Sequence, residues 1–286
     1  MVPNHQKPER NSGQWQGQPY SSEAFGVITR FLQGNEIAYL KGDASNAYLL
    51  KKNDPEVKKF FRHIVLLKPD IVIIYDELES GHEASWSWLI HSLQQMKTDE
   101  ANQTFSASLP NATGTGKLFA SQPVKWELAD TADVPANNWL GAKYADGSLK
   151  TYDNPQWHLK VTSQDKCKSM RFLVILQISP DTGLFEKKSN KSDENGKIDI
   201  SVGQWNISAN LNTNLHPDLF IRKTDEKTAF SLNSNEIVLN GKIYSGKANT
   251  SSKLLEMIDR KMIISETGDV LPWNVQEAIR NLNQQN

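Results

Sequence analysis

Residues 60 to 80 read FFRHIVLLKPDIVIIYDELES, and no other stretch limits the fold as strongly. Two apolar runs flank Lys68-Pro69-Asp70. Proline fixes its own φ, suits a turn and cannot donate to a central ladder, so the runs read as two buried strands joined by a tight connection. The second run ends in Asp76, Glu77 and Glu79. Paired carboxylates can divide acid and base work when their environments split their pKa values. Neighbouring residues on a strand point to opposite faces, so Asp76 and Glu77 cannot converge on one bond. The expected role of Asp76 is structural, as acceptor of hydrogen bonds from Arg62 or the backbone at a strand end.

Strand signals recur along most of the chain. VITRFLQ and EIAYLKG flank Gly34-Asn35, a pair that accepts the positive φ of a two-residue hairpin turn. EIVL and KIYS flank Asn240-Gly241, the preferred pair for a type I′ turn. FLVILQI reads as a buried strand, and SWSWLIH alternates. Many short strands with turn residues between them predict an all-β fold, a large antiparallel β-sandwich. Residues 97 to 156 are richer in turn chemistry, with PNATGTG, DVPANN and YADGS. Only the end of the chain reads as helical. SSKLLEMIDRK carries Leu254, Leu255 and Ile258, and LPWNVQEAIRNLNQQN places Val275, Ile279 and Leu282 along one stripe after Pro272. The expected organisation is an extended segment over 1–24, the sandwich over 25–250 and a short helical segment over 251–286 packed on it.

The 286 residues suit one large all-β domain or two ordinary ones. With 32 basic and 33 acidic residues the formal net charge is −1, so no single-sign field exists to recruit nucleic acid or an anionic membrane. No apolar run approaches the ~20 residues that span a bilayer. The first residues, MVPNHQKPERNSGQWQGQ, lack the apolar core of a secretion signal. The single Cys167 excludes an internal disulfide and has no neighbouring base to make it a nucleophile. Phosphate-loop, HExxH, CxxC and GxSxG patterns are absent from the sequence. In KKSNKSDENGK, residues 187–197, the acidic residues are adjacent rather than alternating as in a calcium loop, and a solvated hairpin tip is expected.

Several residues carry possible chemistry. His63, His82 and His91 with Asp76 could hold a zinc ion, but their spacing matches no metal signature. They are expected to be hydrogen-bonded core or turn residues, with Arg62, Asp76 and His91 as structural polar groups. Trp86 and Trp88 share a strand face and could stack on sugar rings or fill the space between sheets, the latter being expected. Trp126, Trp139 and Trp157 lie in loop-rich segments, where exposed aromatics favour binding, and are the candidate substrate-binding residues.

The order YLKGDASNAYLL, FFRHIVLLKPD, IVIIYDELES and SWSWLIH resembles the C-terminal sandwich of the heparinase II/III-like polysaccharide lyases. WHLKVTS and SMRFLVILQISP are similar to that family's closing strands. The resemblance implies a module that normally adjoins an (α/α) toroid in enzymes that cleave uronic-acid polysaccharides by β-elimination. In them a Tyr or His removes the C5 proton while Asn, His or Arg neutralises the carboxylate. It further implies an acidic polysaccharide and a helical toroid as partners, and a periplasmic or secreted location. It leaves zinc or calcium as possible metals of a full-length parent, with His5 a remnant of the last ligand. No multi-helix stretch that could form a toroid is present in this sequence, and no spacing singles out a base. Three readings stay open: an accessory module of a lyase, a carbohydrate-binding module for acidic glycans, and a structural domain.

Overall fold

The computed structural model describes residues 26–45, 49–51, 54–55, 57–130, 145–148, 157–179, 191–192, 196–234, 236–246 and 251–270. Every pairing among them is antiparallel. The first sheet holds, in spatial order, β1 (Val27–Gln33), β2 (Ile37–Asp43), β5 (Val57–Leu67), β6 (Ile71–Ala84), β13 (Cys167–Ser179), β10 (Ala112–Ala120), β9 (Thr104–Leu109) and β8 (Met96–Asp99). The second holds β14 (Lys191–Ser192), β15 (Lys197–Val202), β16 (Trp205–Asn210), β17 (Leu219–Lys223), β18 (Thr228–Ser231), β21 (Ser252–Ile258) and β22 (Lys261–Thr267). A third sheet is β11 (Val124–Ala129), β12 (Trp157–Ser163) and β7 (Ser87–Ser92). Two small pairs complete the set: β3 (Leu49–Lys51) with β4 (Asp54–Pro55), and β19 (Glu236–Leu239) with β20 (Lys242–Ser245).

The predicted all-β sandwich is thus observed, with one layer more than two. One face of the first sheet meets the second sheet through Ile37, Val65, Ile73, Ile175, Ile207, Ile221, Phe230 and Leu254. Its other face meets the third sheet through Trp86, Trp88, Leu159, Val161, Met170, Phe172 and Val174. The β19–β20 hairpin covers part of the far side of the second sheet through Ile237 and Leu239 over Ala229 and Leu255. This layering explains why IVIIY and FLVILQI do not alternate. Strands β6 and β13 lie where both faces are covered, and Phe172, Leu173, Val174 and Ile175 are all within 1% of full burial. Strand β16 has its second face open, and its burial alternates with period two.

Two sequence expectations need correction. SSKLLEMIDRK is not helical: it forms β21 and turns at Asp259-Arg260, with φ of 49° and 64°, into β22. Leu254 and Leu255 look like a helical stripe because both are apolar. Leu254 in fact faces the first sheet and Leu255 the β19–β20 hairpin, so each side of one strand is buried. The sandwich therefore continues past residue 250 through β22, while residues 1–24 and the LPWNVQEAIRNLNQQN stretch lie outside the described residues. The second correction concerns Gly34. Asn240 and Gly241 have the predicted positive φ, 51° and 68°, but neither Gly34 nor Asn35 does. Three residues, Gly34 to Glu36, connect β1 and β2. The Glu256 carboxylate accepts hydrogen bonds from the Asn35 and Glu36 amides, each 3.1 Å long. A Cβ on Gly34 would stand 2.1 Å from that carboxylate, so the glycine provides room rather than an unusual backbone angle.

The turn is bound to the second sheet by more than Glu256. The Glu36 carboxylate accepts from Thr228 Oγ1 at 2.5 Å and pairs with Lys223. Next to it, Lys68 Nζ, in the turn between β5 and β6, donates to the Gly34 carbonyl at 2.8 Å. If Gly34 matters only because Glu256 occupies its side-chain space, the two positions must be coupled. Gly34→Ala should cost about 1–2 kcal/mol by displacing the carboxylate from its amides, and much less in a Glu256→Ala background. Denaturant midpoints of the four proteins of this cycle give the coupling, and additive costs would contradict it.

Candidate functional site

Register aligns the inner-facing residues of the first sheet into rows. Leu32, Tyr39, Val65, Ile73 and Ile175 form one row across β1, β2, β5, β6 and β13. The next holds Arg30, Lys41, His63, Tyr75 and Leu173, and the one beyond includes Phe61, Glu77 and Arg171. The face therefore changes from apolar to polar within two to four residues along these strands. Arg30, Lys41, His63, Glu77 and Arg171 are nonetheless all buried.

These groups form a directed chain of hydrogen bonds. Arg30 Nη1 donates to Ser252 Oγ at 3.0 Å, and Ser252 Oγ donates to the Tyr39 hydroxyl at 3.1 Å. The Tyr39 hydroxyl lies 3.0 Å from His63 Nδ1, and His63 Nε2 lies 2.9 Å from Glu77 Oε1. Arginine can only donate and an ionised carboxylate can only accept, so the tautomer follows. Tyr39 donates to Nδ1, and Nε2–H donates to Glu77. Burial pushes the Tyr39 hydroxyl well above its ordinary pKa, against the opposing bond from Ser252 and charge of Arg30. Burial also pushes His63 down, although Glu77 works the other way, and the imidazole is neutral at neutral pH. Burial would raise Glu77, but the His63 hydrogen bond with the charges of Arg171 and Lys41 outweighs it and keeps the group ionised.

The chain is anchored at its donor end by Asp269, just beyond β22. The Asp269 carboxylate accepts from Arg30 Nε at 3.0 Å and Nη2 at 2.7 Å, from Lys41 Nζ at 2.9 Å and from Thr29 Oγ1 at 2.9 Å. Burial opposes ionisation there, but these bonds prevail and hold its pKa at about 2. Lys41 also lies 4.0 Å over the Phe61 ring. At the acceptor end, Arg171 donates to the carbonyls of Asn210, Asn212 and Leu215. Tyr75 donates to the Asn210 carbonyl as well. The network thus ties the first sheet to β21, to the segment after β22 and to the β16–β17 connection.

A Tyr beside a His is a familiar arrangement for proton abstraction, and its chemistry can be examined directly. A catalytic base must reach its proton and be able to lose its own. Tyr39 and His63 are each 1% exposed, and the hydroxyl is held protonated. Both groups spend their hydrogen bonds inside the protein. The arrangement fixes the packing of two sheets and offers no surface to a polymer.

The remaining sequence candidates are scattered. Arg62 donates to both oxygens of Asp76, at 2.7 and 2.8 Å, on the opposite face from Glu77. His82 is exposed and lies within β6, not in a turn. His91 is exposed on β7 rather than in the core, its ring 5.9 Å from that of His158. Partial burial and the neighbouring His158 lower its pKa. Among the described residues no three His, Cys, Asp or Glu side chains converge as metal ligands. Trp86 and Trp88 are core residues. Trp126 and Trp157 are strand residues half-buried on the second core, Trp126 with its ring 6.4 Å from that of Phe105. Trp139 and His5 lie outside the described residues. Cys167 opens β13, and burial with the charge of Glu83 raises its pKa, which leaves the thiol protonated.

On the outer face of the first sheet, beside the third sheet, Phe31, Leu40, Ile64 and Ile74 align across β1, β2, β5 and β6. Phe31 is 58% exposed and its neighbour Ile28 54%, while the other three are half-buried. Sequence reading missed this apolar row, and it missed Arg30, Lys41, Ser252 and Asp269. The alternation of Tyr39 with Lys41 and the lone Arg30 in VITRFLQ were the available signals.

No family model matches the chain, and no curated protein does. Among solved structures, a heparinase III gene product aligns over 72% of this chain and 27% of its own, with 9% identity and a TM-score of 0.45. A crystal structure of heparinase III aligns over 77% of this chain and 26% of its own, at 12% identity and a TM-score of 0.41. A heparan sulfate lyase from Pedobacter heparinus covers 68% of this chain, with 27% of its own length matched, 9% identity and a TM-score of 0.41. The chain thus spans about a quarter of the length of these enzymes.

Two expectations test the network. Tyr39→Phe leaves the aromatic packing but removes the donor to His63 and the acceptor for Ser252. It should cost about 1–3 kcal/mol in denaturant unfolding, the penalty for orphaned buried groups. Asp269 has a folded pKa of about 2 against an ordinary 3.8, so its contribution to stability is complete above the ordinary value and lost as pH falls towards 2. Its side chain is 48% exposed, so solvent damps the effect. Asp269→Asn should lower the melting temperature at neutral pH and shrink the further loss on acidification through that window. Parallel melting profiles for the two proteins would assign the acid sensitivity elsewhere.

Proposed function

We propose that this chain is an accessory β-sandwich module of a heparinase II/III-like polysaccharide lyase, and that it does not perform elimination by itself. The observation that carries this reading is the state of Tyr39. Among the described tyrosines it is the one closest to the form of a base, with a histidine at 3.0 Å, yet it is buried, protonated and committed to a donor chain. The order of motifs from YLKGDASNAYLL to SWSWLIH supports the family. The row Phe31, Leu40 and Ile64, which ends at Ile74 where the second core begins, supports docking of a second domain, since a sheet face that is apolar across three strands suits a companion surface. A helical toroid carrying the base fits that role, with an acidic polysaccharide as the substrate of the assembled enzyme and an extracytoplasmic location.

The test is the ultraviolet absorbance of unsaturated uronates formed from heparan sulfate, chondroitin, hyaluronan or alginate. Protein shown to be folded by circular dichroism should give a flat trace with all four. A rising trace that persists after repurification would show a complete elimination site in this chain and end the accessory reading.

A further inference from the structure

The outer face of the third sheet carries two imidazoles that the buried network does not use. Trp88 and Ile90 of β7, with Leu159 and Val161 of β12, turn towards the second core. Strand alternation therefore turns His91 and His158 to the other face. Register sets the two directly opposite one another. The kind of pair follows from the other end of the ladder. The Ser163 amide donates to the Trp86 carbonyl at 2.9 Å, which makes Trp86 and Ser163 a hydrogen-bonded pair. His91 and His158 lie an odd number of steps along the same register, so theirs is a non-hydrogen-bonded pair. Side chains stand closest in such pairs, with Cβ atoms about 4.5–5.5 Å apart. The ring centroids are 5.9 Å apart, with the planes inclined at 30°. His91 is exposed, and among the described residues its ring has no hydrogen-bond partner. His158 is half-buried and makes a further interaction.

We propose that His91 and His158 form a two-imidazole site for a divalent transition-metal ion of the zinc, nickel or copper type, which clips the edge strand β7 to the central strand β12. Neutral imidazole suits these ions, whereas the harder calcium and magnesium take oxygen ligands. An ion held at about 2.0–2.1 Å by one nitrogen of each ring, at a tetrahedral angle, places the ring centres roughly 5 Å apart. The observed separation exceeds that by about 1 Å or less, and the broad χ2 torsion of histidine allows the rings to close it. Partial burial and the charge of His158 already lower the His91 pKa, so its ring is neutral and its lone pair available at neutral pH. An imidazole has two nitrogens, so His158 can bind an ion through one while the other serves a neighbour. Lys160, the next residue on this face of β12, pairs with Glu127 of β11 at 3.3 Å, so its charge is largely offset. Two protein ligands are fewer than those of a permanent zinc centre, and water completes the sphere, so the clip is reversible. The pair shares no residue with His5, the ligand remnant that the family resemblance implies, and the site stands whether or not the chain serves a lyase.

Titration calorimetry of the untagged chain tests the site, with zinc chloride, nickel chloride and calcium chloride as separate titrants. Zinc and nickel should each bind with a Kd on the order of ten micromolar, and calcium should not bind. His91→Ala and His158→Ala should each weaken zinc binding about tenfold or more, because each leaves one imidazole. His82→Ala with His216→Ala, both exposed and elsewhere on the surface, should leave it unaltered. Zinc should raise the melting temperature of the wild-type protein and not that of either single variant, since an ion that binds only the paired strands stabilises the folded state. Both imidazole C2 proton resonances should shift together in the magnetic resonance spectrum as zinc is added. Circular dichroism establishes that each variant is folded. Absence of saturable zinc and nickel binding up to about 1 mM ion would overturn the site. So would equal binding of calcium, or zinc binding that is unchanged when both His91 and His158 are replaced.

Discussion

Arg30, Tyr39, Lys41, His63 and Glu77 all lie between two sheets, where an unpaired polar group costs about 1–3 kcal/mol. Their burial is tolerable because the chain of bonds has a donor-only guanidinium at one end and an acceptor-only carboxylate at the other. Every intermediate hydroxyl and ring nitrogen then has one available role. That direction fixes the protonation of Tyr39 and His63 and gives the two sheets a single way to meet. The participants come from β1, β2, β5, β6 and β21, so the two sheets must both be assembled before the chain is complete. Asp269 extends the same logic by gathering Thr29, Arg30 and Lys41 onto one carboxylate.

The layered architecture gives the two outer surfaces different chemistry. The first sheet is wide, and the three strands of the third sheet shield the β13 side of its outer face. The remainder, around Phe31 and Leu40, keeps an apolar surface. The second sheet shows the opposite chemistry on its outer face, where charged and amide groups line an open depression over β15 to β17. The two outer surfaces thus differ in chemistry, one partly apolar and the other polar.

The fold was legible where one residue's chemistry decides its local environment. Asn240-Gly241 specifies its turn because both residues adopt positive φ. Lys68-Pro69-Asp70 interrupts two apolar strands, and Arg62 lies opposite Asp76 because hairpin register places them there. Reading failed where partners decide. Leu254-Leu255 resembles part of a helical stripe until two separate apolar layers are known to enclose β21. Gly34 resembles a turn glycine until Glu256, 222 positions away, is seen to occupy its side-chain space. Trp126 and Trp157 looked like loop aromatics, but they belong to the third sheet and lie against its core.

The amino-acid sequence by itself determined the alternation, the principal turns and the need for strands covered on both faces, because these follow from periods and backbone preferences within a few residues. It also contained every member of the polar network, though without a sign that they belong together. Only the tertiary structure decided that Tyr39 meets His63 and Ser252, that Asp269 returns to β1, and that Lys197 and Arg222 share one depression. These relations span 24 to more than two hundred positions and exist only once register and sheet stacking bring the strands side by side. The physical reason is that a side chain's role in a β-protein depends on what lies opposite it, and strand pairing chooses that neighbour.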